Sequence, residues 1–79
     1  MGENMDEEIP IEVKRAIVEQ RIAIWRNTAF QSTVDLRVAT RFGDADLIAA
    51  AKVQIAKAEQ MVAGYTSELE ALRNGEVTP

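Results

Sequence analysis

The sequence predicts an all-α protein: a two-helix antiparallel hairpin, coiled-coil-like in its packing, that assembles into a homo-oligomeric helical bundle. Three observations carry this expectation. Ile48, Ala51, Ile55, Ala58, Val62, Tyr65, Leu69 and Leu72 recur at alternating spacings of three and four, an apolar heptad seam for a helix packed along another helix. Upstream, Val13, Ile17, Gln20, Ile24, Asn27, Gln31, Val34 and Val38 repeat the same spacing. Between the two series stands Phe42-Gly43-Asp44, a helix stop followed by a helix start.

Taken in chain order, residues 1–8 (MGENMDEE) read as a disordered acidic tail, because charge without large aliphatic residues gives nothing to pack. The hairpin is expected over 9–74. Pro10 suits the first turn of a helix, and Glu12 complements the helix dipole there. No Gly or Pro interrupts Ile11 to Arg41, so helix one is placed at about 10–41. The loop is 42–44: Gly43 can take the left-handed conformation that ends a helix, Asp44 is a good N-cap, and Asp46 lies in the next first turn. Two carboxylates without a third ligand read as caps, not as a metal site. Helix two is placed at about 45–73, Asn74-Gly75 reads as its stop, and 75–79 as a C-terminal tail.

A hairpin folded at Gly43 pairs residues whose numbers have a nearly constant sum. The two seams meet that test: Val38 with Ile48, Ile24 with Val62 and Val13 with Leu72 all sum to 85 or 86. This register places Gln20, Asn27 and Gln31 in the seam, where they either set the register or line a polar pocket. A further apolar stripe remains on helix one: Val18, Ile22, Trp25, Ala29 and Leu36. Leu47 and Met61 are spare apolar positions on helix two. A two-helix hairpin covers one face of each helix and is too small to bury much surface alone. These residues are therefore expected at an oligomer interface, with Trp25 as its anchor.

Composition removes several functions. Net charge is −4 over 79 residues, which argues against a duplex nucleic-acid binder. There is no His and no Cys, so the commonest general base and the thiolate ligands are missing. No apolar run approaches a membrane span, and the N-terminus is acidic, unlike a secretory leader. A cytoplasmic protein without cofactor or metal is expected, and the scattered carboxylates form no catalytic constellation.

What remains is binding. Trp25, Arg26, Asn27, Phe30, Arg37, Arg41 and Tyr65 carry the groups that hold a planar anion. Arg forks onto phosphate, aromatic rings stack on bases, and amides read base edges. Arg26 and Arg37 lie eleven residues apart, three helical turns, and so share a face. In length and plan, over residues 11–73, the chain resembles small phage-encoded helical proteins. Among these it is similar in outline to the helical-hairpin sponges that sequester cyclic-nucleotide signals of bacterial defence, of the anti-CBASS and anti-Thoeris type. That resemblance implies a non-enzymatic oligomer holding a small anionic nucleotide between subunits, with Arg26 and Arg37 on phosphates and Trp25 or Tyr65 on a base. The competing expectation is a structural, assembly or adaptor module that grips another protein through the Trp25 stripe.

Overall fold

The computed structural model describes residues 8–77. Its two long helices are α1 (Ile11–Phe42) and α2 (Ala45–Val77), packed side by side. The molecule measures 55 × 27 × 14 Å, two helices wide and one helix thick. The expected acidic tail lies outside the described residues, apart from an exposed Glu8.

Pro10 is the N-cap of α1, one position earlier than a first-turn residue. Its carbonyl accepts from the amides of Val13 and Lys14, both at 3.0 Å. The reversal follows from three residues. Gly43 adopts φ 68°, ψ 29°, a conformation that costs an L-residue about 1–2 kcal/mol. It lets the amide of Asp44 reach the carbonyl of Ala39 and that of Gly43 reach Thr40, each at 3.1 Å, so carbonyls orphaned at the helix end are satisfied. Asp44 then starts α2: its Oδ1 accepts from the Leu47 amide at 3.1 Å. With one residue and one cap between them, the helices can only run antiparallel.

Along α2 the packed face is the expected seam. Ala51 and Ala58 are buried, and Ile48, Ile55, Val62, Tyr65, Leu69 and Leu72 are half-buried. On α1 the packed face differs from expectation. Ile22, Ser32 and Ala39 are buried, and Ile11, Arg15, Val18, Trp25, Ala29 and Leu36 are half-buried. Val13, Ile17, Gln20, Ile24, Asn27, Gln31, Val34 and Val38 are all exposed. Helix one thus carries two heptad registers on opposite sides, and α2 covers the one containing Trp25. Counted back from the reversal, the covered positions match Ala39 to Ile48, Leu36 to Ala51, Ala29 to Ala58, Ile22 to Tyr65 and Val18 to Leu69, every pair summing to 87.

The reason is polar load. The expected register would bury three carboxamides, each costing about 1–3 kcal/mol without partners. The observed one brings Ser32, which α2 buries, and Arg15, which stays half-exposed. Among the described residues no buried side-chain N or O lacks a hydrogen-bond partner. Small residues on both sides let the backbones approach: Ala58 is 0 % and Ala39 3 % exposed.

One boundary also differs. Asn74-Gly75 does not end α2, which continues to Val77. Gly75 keeps a negative φ, Gly43 alone being positive among the described residues. A glycine inside a helix costs only about 1 kcal/mol, which the last turns tolerate.

A substituent at Gly43 would meet no neighbouring atom, so Gly43→Ala tests backbone conformation without a clash. It is expected to lower stability by about 1–2 kcal/mol in a urea titration followed by circular dichroism. Asp44→Ala should cost about 1 kcal/mol and Asp44→Asn far less, since Asn also caps.

Candidate functional site

The described residues hold no enclosed chemical centre; what they offer is a face. The outer side of α1 presents Val13, Ile17, Ile24, Val34 and Val38, each between 37 and 46 % exposed. Gln20, Asn27 and Gln31 interrupt this series at heptad positions and are exposed as well. From Val13 to Val38 the row is about 38 Å long at 1.5 Å per residue. Phe30 flanks it at mid-length, and Phe42 and Leu47 cap its loop end, all exposed. Three threonines turn their hydroxyls back onto the helix: Thr28 to the Ile24 carbonyl at 3.2 Å, Thr33 to Ala29 at 2.8 Å and Thr40 to Leu36 at 2.7 Å. These hydroxyls satisfy themselves locally instead of offering donors outward.

The stripe expected at an oligomer interface has another place. Ile22 is buried, and Val18, Trp25, Ala29 and Leu36 are half-buried, on the face that α2 of the same chain covers. The Lys57 ammonium lies 5.9 Å from the centre of the Trp25 ring, an intramolecular cation–π contact. Of that expected set Leu47 remains exposed and Met61 is half-buried.

The expected ligand-binding residues do not converge within one protomer. Arg26 and Asn27 line an open groove of about 490 Å³ between the helices, with Glu19, Ile22, Ala23, Thr66 and Leu69. Tyr65 lines a separate shallow depression with Gln60, Met61, Gly64 and Glu68. Arg37 is exposed and borders neither, and Trp25 packs beneath Lys57. Near the reversal a third groove, about 400 Å³ and mostly apolar, runs between Val38, Ala39 and Phe42 of α1 and Leu47, Ala50 and Ala51 of α2. Among the described residues no three Asp or Glu gather to hold a metal ion. Among the described residues no helix is long and apolar enough to cross a membrane.

Comparison with known proteins finds no matching family model, no matching curated protein and no matching solved structure.

The face assignment separates two isoleucines only two residues apart. Ile22→Ala empties a buried site and should cost about 2–4 kcal/mol. Ile24→Ala removes a side chain that the hairpin does not cover, and in dilute solution it should cost under about 1 kcal/mol. Urea titrations of both variants at micromolar concentration check this; equal losses would contradict the assignment.

Proposed function

We propose that this protein is a non-catalytic helical assembly module whose working surface is the outer face of α1, and that its partner there is another copy of the same chain. The observation that carries this is the row of eight heptad positions that stay exposed on α1. Heptad spacing over so many turns is the requirement of a helix that packs lengthwise on a helix, and α2 is already engaged on the opposite side. The Trp25 stripe serves less well as a docking surface, since docking through it would require α2 to leave.

Sedimentation equilibrium of the full chain tests the proposal. A defined oligomer is expected, and Ile24→Glu, which sets a charge in the middle of the row, should reduce it to monomer. A monomeric parent chain, or an oligomer indifferent to Ile24→Glu, would reject this face as the working surface.

A second reading keeps the nucleotide ligand. Its support is that Arg26 and Asn27, a phosphate fork and a base-reading amide, border the same groove. Glu19 on the same groove opposes an anion, and the other expected groups stand elsewhere, so this reading takes less from the geometry. Native mass spectrometry with cyclic di- and trinucleotides checks it: whole nucleotide masses should appear on the oligomer and disappear in Arg26→Ala. No added mass at any ligand concentration would remove this reading and leave the first untouched.

A further inference from the structure

The exposed row on α1 is close to a palindrome, and this determines more than the existence of a partner. Read forward it is Val13, Ile17, Gln20, Ile24, Asn27, Gln31, Val34, Val38. Laid antiparallel on itself, with numbers summing to 51, Val13 meets the partner's Val38, Ile17 the partner's Val34, and Gln20 the partner's Gln31. Only the central pair, Ile24 with the partner's Asn27, joins unlike classes. Each of the three inner pairs also sets a position preceded by a three-residue step against one preceded by a four-residue step, as antiparallel coiled-coil layers require. Resting on the self-association proposed above, we infer that two copies pair through α1 in this antiparallel register, about a two-fold axis passing between Trp25 and Arg26.

Two features outside the seam and one within it agree with this register. Lys14 follows Val13 and Asp35 follows Val34, so each falls on the same flank of the row. In the antiparallel pair Lys14 stands beside the partner's Asp35, and the two-fold axis repeats that ion pair at the other end. On the opposite flank Ala23 stands beside the partner's Phe30, small against large, again twice. A parallel, in-register pair would form no such ion pair and would place Phe30 beside the partner's Asp35. Finally, the two copies of Asn27 come within about 4.5 Å along the axis, three residues at 1.5 Å each. Their amides can bond to one another, as can Gln20 and the partner's Gln31. Rim charges of this kind set orientation more than affinity, which is the role assigned to Lys14 and Asp35.

The chain has no cysteine, so introduced thiols report the register directly. Gln20→Cys and Gln31→Cys are made separately, distinguished by a mass tag, and oxidised alone and mixed. The antiparallel register brings position 20 beside position 31 but holds the two copies of position 20 about 16 Å apart along the axis, beyond disulfide reach. Cross-linking only in the mixture is the expected result. Cross-linking of Gln20→Cys with itself would establish parallel pairing and overturn the register while leaving self-association standing. A dimer by sedimentation that cross-links in neither case would overturn it too, and a monomer would remove the assembly proposal beneath it. Independently, Lys14→Glu alone should weaken the dimer about tenfold by facing two carboxylates across each rim. Adding Asp35→Lys should restore it. Failure of the double exchange to restore affinity would also overturn the register.

Discussion

The close approach of two helix backbones at Ala39, Ala51 and Ala58 is the contact on which the rest of this molecule depends. Small side chains on both sides, with Ser32 among them, let α1 lie against α2 over their whole length. Around that spine Ile22, Trp25, Leu36, Ile48, Ile55, Val62 and Leu69 pack laterally without being fully buried. Two helices leave these flanks open, so among the described residues no large side chain is fully buried. The core is therefore a line, and its stability is drawn from length and not from depth. The turn at Gly43 and Asp44 matters for the same reason: it sets the phase in which two 32- and 33-residue helices meet.

Much of this was legible in the residues. The seam of α2 could be read because each of its eight positions is apolar and nothing competes with it. The reversal could be read because Gly43 and Asp44 each have a specific backbone task, a left-handed stop and a side-chain cap. The phase of α1 was not legible from spacing, because that helix carries two heptad series, one containing Trp25 and Ser32, the other containing Gln20, Asn27 and Gln31. Their pairing sums with α2, 87 against 85 or 86, differ by only one or two residues, about half a turn of helix at most, so register arithmetic accepts both. The quantity that separates them is the cost of removing carboxamides from water. One serine can turn back to its own helix, whereas three long amides cannot. Reading the amides as register-setters inside the hairpin placed the wrong face inward and the Trp25 stripe outward. The stripe expected at an interface moved inward with Trp25, which the expected ligand set shared, while Arg26, Asn27 and Arg37 of that ligand set stay exposed.

The helix that overran its expected stop has a different cause. Asn74-Gly75 is a stop signal when the chain must turn to meet another element. Gly75 keeps a negative φ, so the left-handed stop is not formed and the helix continues through it.

The amides that were too costly for the hairpin interior suit a surface that is sometimes wet. A seam of eight large apolar residues would be an adhesive patch before its partner arrived, and it would accept a partner in several registers. Three amides among five aliphatic side chains keep the unpaired face hydrated, and they penalise any partner that leaves them facing hydrocarbon. A copy of the same row meets that demand in either direction, amide near amide, so these three residues select the copy and the flanking Lys14 and Asp35 select its direction. The same chemistry that kept this face out of the hairpin thus gives it a means of choosing its own copy. On α1 the two faces divide the work: the Trp25 face, poor in amides and rich in small residues, forms permanently with α2. The Ile24 face, held at lower hydrophobicity by its amides, is suited to an association that concentration can govern.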